Sequence, residues 1–114
     1  MPHPSKLKGS NFERELVNQA KDFGLDAERA YASNGKALGC CEQVDLKIGD
    51  VRVQAKRRKK LADYLQIPDG ADVVACRQDR GDTLILMRYE YFLELLRDST
   101  ELKLIDQLTD GVIS

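Results

Sequence analysis

Two alternating runs around a single Gly-Asp step constrain this chain more than any other feature. Val44, Leu46 and Ile48 alternate with Asp45 and Lys47. After Gly49-Asp50, Val51, Val53 and Ala55 alternate with Arg52, Gln54 and Lys56. Period-two alternation on both sides of a Gly-X pair reads as a β-hairpin with a type II′ turn. A two-residue loop pairs Ile48 with Val51, and the pairs then step outward with a constant index sum. On that register Asp45 falls opposite Gln54, and Gln43 opposite Lys56, all on one face. Directly opposed residues have Cβ atoms roughly 5 Å apart, a spacing that one small metal ion can bridge.

The rest of the chain supplies partners for this hairpin. Phe12, Leu16, Val17, Ala20 and Phe23 mark one face of a helix over 11–23, ended by Gly24. Ser10, with Glu13 three residues on, has the spacing of a capping box. Glu13 also falls on the apolar side of that helix. Residues 27–33 suit a first strand and Ser33 to Lys36 a loop. Leu61 to Gln66 suits a short helix stopped by Pro68-Asp69-Gly70. Ala71 to Cys76 and Thr83 to Met87 read as strands joined by a charged turn, and Tyr89 to Arg97 as a second main helix. The order α-β-β-β-α-β-β-α predicts an α/β sandwich with a mixed central sheet flanked by helices. A length of 114 residues fits one domain over 1–114, with a flexible lead-in at 1–8 and a tail at 98–114 capable of further helix.

Composition excludes several classes. A hydrophobic share of 42% with 32% charged residues is that of a globular chain, not a disordered one. No apolar run approaches the ~18 residues of a membrane span, and no apolar stretch follows the first residues as in a secretory leader. Cys40, Cys41 and Cys76 make neither a disulfide framework nor a zinc pattern, which points to a reducing, cytoplasmic setting. His3 sits in the terminal segment, away from any ligand pattern. The net charge of -1 conceals an asymmetry: residues 1–60 hold 13 Lys/Arg against 8 Asp/Glu, and residues 61–114 hold 5 against 11. The basic half contains the run Lys56-Arg57-Arg58-Lys59-Lys60.

The side chains gathered so far have a common chemistry. Glu13, Asp45 and Gln54 offer hard oxygen ligands, suited to Mg²⁺ or Mn²⁺ rather than zinc. Lys56, two residues beyond Gln54, can stabilise charge on a phosphate. These are the parts of metal-assisted phosphodiester hydrolysis. The same residues also fit a plainer role, with Glu13 reaching back to the Ser10 backbone and the other three on the wet face of an amphipathic hairpin.

Asp45 followed by Gln54-Ala55-Lys56 resembles the PD-(D/E)XK nuclease motif. Lys8-Gly9-Ser10 followed by Glu13-Arg14 resembles the opening helix of archaeal Holliday junction resolvases and their phage-encoded relatives. Ala32-Ser33-Asn34-Gly35 is similar to their Ser/Gly loop, and Ala71-Asp72-Val73-Val74 through Tyr91-Phe92-Leu93 to the closing β-β-α segment of the phage members. The resemblance covers residues 6–97. It implies a restriction-endonuclease-like core and a structure-selective endodeoxyribonuclease that cuts branched DNA. Glu13, Asp45 and Gln54 would then be metal ligands, with the Ala55 carbonyl as a backbone ligand. Lys56 would be the catalytic lysine, and Ser33 would assist at the active site or contact DNA. The usual proline before the aspartate is Val44 here, and the usual second acid is Gln54, which keeps an oxygen but removes a charge.

In that setting Arg57, Arg58, Lys59 and Lys60 leave the active site along the DNA backbone, with Lys6 and Lys8 adding to the surface. Nothing in the chain looks like a base-reading element, so the expected partner is branched or double-stranded DNA recognised by structure. Cutting a four-way junction needs two active sites, which implies a homodimer. The expected setting is the cytoplasm of a prokaryote or of a phage-infected cell. Two other readings stand beside this one: a single-site nicking or repair nuclease, and a non-catalytic DNA-binding or adaptor protein whose Gln54 marks a decayed site.

Overall fold

A computed structural model describes residues 4–30 and 43–112. Its elements are α1 (Pro4–Asp22), β1 (Ala27–Arg29), β2 (Leu46–Ile48), β3 (Val51–Val53), β4 (Val73–Arg77), β5 (Thr83–Met87) and α2 (Tyr89–Val112). The fold is mixed α/β. Two compact units divide the chain, Met1–Lys59 and Lys60–Ser114, and the division falls inside the basic run. Among the described residues no helix is long and apolar enough to cross a membrane.

In the first unit α1 begins at Pro4, whose fixed φ and missing N–H suit a first helical turn. Ser10 therefore lies inside the helix and not at its cap, and residues 4–8 belong to the helix where a flexible lead-in was expected. The C-terminus closes as read from the sequence. Gly24 takes φ +80, the Leu25 N–H donates to the Ala20 carbonyl at 3.1 Å, and the Gly24 N–H donates to the Lys21 carbonyl at 2.9 Å. These are the two bonds of a Schellman motif, and buried Leu25 and Ala20 make its apolar contact positions. Glu13, Leu16, Val17 and Ala20 form the buried face of α1, at the i, i+3, i+4, i+7 spacing of one helical stripe.

That stripe packs on β1 and β2. The sheet is antiparallel in the order β1-β2-β3. Ile48 pairs with Val51, Lys47 with Arg52 and Leu46 with Val53, the register that the hairpin pattern predicts. Gly49 takes φ +56 while Asp50 keeps a negative φ, as a type II′ turn requires. Leu46 and Ile48 are fully buried. Each contributes about 1.5–3 kcal/mol of transfer free energy.

In the second unit β4 and β5 pair antiparallel, from Val73↔Met87 to Arg77↔Thr83. The turn between them holds Arg80 at φ 64, a left-handed position that costs a non-glycine residue roughly 1 kcal/mol. The expected helix over Leu61 to Gln66 is absent. Only a turn closes there, with the Leu65 N–H donating to the Ala62 carbonyl at 2.9 Å. Six residues ahead of Pro68 are too few to repay helix nucleation. The expected mixed sheet is likewise not formed among the described residues, because all strands pair antiparallel in two separate sheets. A parallel pair needs a crossover of a dozen or more residues, usually helical, and residues 54–72 contain no helix. The second helix, by contrast, is longer than its first nine residues suggested and takes in the tail to Val112.

At the start of α2 the rings of Tyr89 and Phe92 lie 6.3 Å apart. Burial pushes the Tyr89 hydroxyl up from 10.0 to about 12. Between those pH values the unfolded chain has released a proton that the folded protein still holds. Stability must therefore fall as pH rises from the first value toward the second. The urea midpoint, followed from pH 9 to 11.5, is expected to drop more steeply in the native protein than in Tyr89→Phe. Identical slopes would rule out Tyr89 as a source of alkaline sensitivity.

Candidate active site and nucleic-acid interface

Glu13 is the buried charged residue of the described structure, 5% exposed. An inward carboxylate needs a partner, and Arg29 on β1 supplies one. Arg29 Nη2 donates to Glu13 Oε2 at 3.1 Å and Nε donates to the same oxygen at 3.3 Å. Arg29 Nη2 also donates to Ser10 Oγ at 3.0 Å. The Ser10 hydroxyl thus serves the guanidinium instead of a helix cap. Arg29 was not singled out from the sequence. The structure turns it toward α1, because Arg29 shares the parity of Ala27 and pairs with buried Leu46.

Asp45 is held at three points. Its carbonyl accepts from the Ala30 N–H at 2.9 Å, which extends the β1–β2 ladder by one pair. Its own N–H donates to the Val53 carbonyl at 2.9 Å, although Val53 already pairs with Leu46. Two residues of one strand against one of the other is the count of a β-bulge. The constant-sum register therefore stops at Val53, and Asp45 does not simply continue it opposite Gln54. Beyond the slip the Asp45 carboxylate takes over, with Oδ2 accepting from the Ala55 N–H at 2.7 Å.

Gln54 and Lys56 are exposed, while Val53 and Ala55 are half-buried. The alternation of exposure thus continues past β3 through Lys56. Glu13 belongs to the α1 side. The structure thus joins Asp45 to the backbone of Gln54-Ala55-Lys56 and joins Glu13 to Arg29. Among the described residues no three His, Cys, Asp or Glu side chains cluster to hold a metal ion. The ligand set expected from the sequence has two carboxylates, an amide and a carbonyl, so it does not depend on such a cluster.

Arg57, Arg58 and Lys59 are exposed and lie in irregular chain. Lys60 pairs with Asp63 at 3.7 Å, both largely in solvent, a contact of little energetic weight. Ser33, Cys40, Cys41 and His3 lie outside the described residues, as do the side chains of Lys6 and Lys8. A cleft of about 620 Å³, lined by Lys21, Asp26, Glu28 and Lys47 among others, contains none of the expected ligands.

No protein-family model, curated protein or solved structure matches this chain.

The pair of Glu13 and Arg29 can be weighed directly. Its side chains are 7% and 27% exposed, so solvent screens the arginine in part. Arg29→Met is expected to cost about 2–4 kcal/mol, somewhat below the loss of a partner in a fully buried pair. Adding Glu13→Leu to Arg29→Met should recover most of that loss. Urea denaturation of the native, single and double variants measures the cycle. An Arg29→Met protein as stable as native would mean that the ion pair carries no weight in the fold.

Proposed function

We propose that this chain is a metal-dependent endodeoxyribonuclease of the PD-(D/E)XK type, similar to Holliday junction resolvases and acting on branched or double-stranded DNA. The observation that carries the reading is the bond from the Ala55 N–H to Asp45 Oδ2 at 2.7 Å. It ties the motif aspartate to the Gln54-Ala55-Lys56 tripeptide across a bulged hairpin, the two parts that the motif must join. On this reading the fold is a restriction-endonuclease-like core, working as a homodimer in the cytoplasm of a prokaryote or phage-infected cell.

The donor chemistry fits Mg²⁺ or Mn²⁺. A carboxylate has about four acceptor sites, and the Ala55 bond occupies one of those on Asp45. The Gln54 amide oxygen and the Ala55 carbonyl add neutral hard donors. Glu13, the fourth group of the expected set, is held by Arg29 on the α1 side and would join the ion only by sharing its carboxylate with that arginine. Bound there, a divalent ion supplies Lewis-acid stabilisation of charge on a phosphoryl oxygen. Lys56 adds a mobile positive charge for the phosphate under attack, and Arg57 to Lys60 hold the flanking backbone. Ser33, Lys6 and Lys8 are the remaining members of the proposed DNA-binding set.

One observation favours a second reading, a non-catalytic DNA-binding or adaptor protein. Arg29 already neutralises Glu13, and Gln54 carries no charge, which leaves Asp45 as the one carboxylate of the set without a cationic partner. The two readings separate in a cleavage assay on four-way and linear DNA with graded Mg²⁺ or Mn²⁺. The nuclease reading expects cutting by the native protein and loss of cutting in Asp45→Ala with DNA binding retained. Gln54→Glu should lower the metal concentration for half-maximal cutting, and Gln54→Ala should lose most activity. Cutting by Asp45→Ala at the native rate would remove the metal assignment. A native protein inert at every metal concentration, with cutting restored by Gln54→Glu, would establish the adaptor reading.

A further inference from the structure

We propose that the outer face of the three-stranded sheet is a phosphate-binding track for duplex DNA, with Lys47 and Arg52 as its contacts ahead of Lys56. The inference rests on the DNA reading above and assigns it a surface that the basic run alone does not include. Lys47 and Arg52 are direct cross-strand partners. Like charges placed directly opposite each other destabilise a sheet pair. Among the described residues β3 has a strand neighbour on one side alone, and Arg52 pairs there with Lys47. Glu28 stands on the far side of Lys47, yet among the described residues neither Lys47 nor Arg52 forms an ion pair. An anion laid over the pair would relieve a repulsion that the fold leaves in place.

The geometry selects the kind of anion. α1 packs against the opposite face of this sheet. Arg52 on β3, with Gln54 and Lys56 in the irregular chain just past its end, are all exposed. Four residues of chain let Arg52 and Lys56 stand at most roughly 14 Å apart. Three cations spread over that span, two of them on β3 and its extension and one across the strand, match an extended polyanion with regularly repeated charges. A compact phosphate could reach only the Lys47–Arg52 end. Lys56 also opens the basic run, so the track leads into the run along the chain.

The test is Lys47→Thr with Arg52→Thr, which removes both charges and places two good strand formers at the paired positions. Relief of the like-charge pair should leave thermal stability equal to native or higher, so weakened binding cannot be ascribed to unfolding. Binding of a fluorescent 30-base-pair duplex and of a four-way junction is followed by anisotropy between 50 and 200 mM salt. Loss of two phosphate contacts should flatten the log-log salt slope by about 1.8, so that raising salt over that range costs the native protein roughly tenfold more affinity than the variant. A charge-matched control, Arg77→Gln with Lys103→Gln in the second unit, should keep the native slope. A native slope in the Lys47→Thr/Arg52→Thr protein, with a reduced slope in Arg57→Glu/Arg58→Glu, would overturn the track and leave the DNA reading standing. A native protein that binds neither DNA at 50 mM salt would overturn both.

Discussion

The first unit depends on the way Asp45 is fastened. Its carbonyl holds β1 through Ala30, its N–H holds β3 through Val53, and its carboxylate holds the exit of β3 through Ala55. One residue thus finishes two ladders and replaces a third main-chain bond with a side-chain one. The slip at Val53 frees the strand ends to diverge, and the carboxylate spans the gap that the slip opens. A backbone N–H left unpaired in that half-buried position would be costly. The same bond that closes the sheet also sets an acid next to Gln54-Ala55-Lys56. On the proposed nuclease reading, structural and chemical demands on Asp45 coincide.

Charge divides the two faces of the sheet. On the α1 side the guanidinium of Arg29 and the carboxylate of Glu13 neutralise each other among apolar neighbours. On the outer side Lys47 and Arg52 stand in register with Glu28, the one acid paired with them among the described residues. The inner pair serves packing, because a buried charge must be compensated. The outer cations are free to serve binding, because solvent lowers the cost of keeping them unpaired.

What could be read from the sequence was local. The hairpin register followed from period two and a Gly-X turn, and the end of α1 from Gly24. The buried position of Glu13 followed from its spacing to Leu16, Val17 and Ala20. What escaped was set by contacts between distant residues. Arg29 meets Glu13 across 16 positions, and no local pattern announces that meeting. The bulge at Asp45 breaks the constant-sum rule on which the opposition of Asp45 and Gln54 was built. Ser10 and Glu13 imitate a capping box, so the true start at Pro4 was passed over. The mixed sheet was inferred from element order, which does not specify which strands pair when the link between them lacks a helix.

The division between Lys59 and Lys60 has a consequence for the handling of this chain. Lys56 to Lys60 are all exposed and carry no regular structure. Five consecutive cleavage sites for a trypsin-like protease therefore lie at the joint between two units whose strands each pair within their own half. Exposed irregular chain is where nicking concentrates, so a trypsin-like protease acting there would cut the chain between the two units. Any polyanion seated along the run would mask those same bonds. Survival of the intact chain under protease is thus a direct gauge of whether the joint is covered.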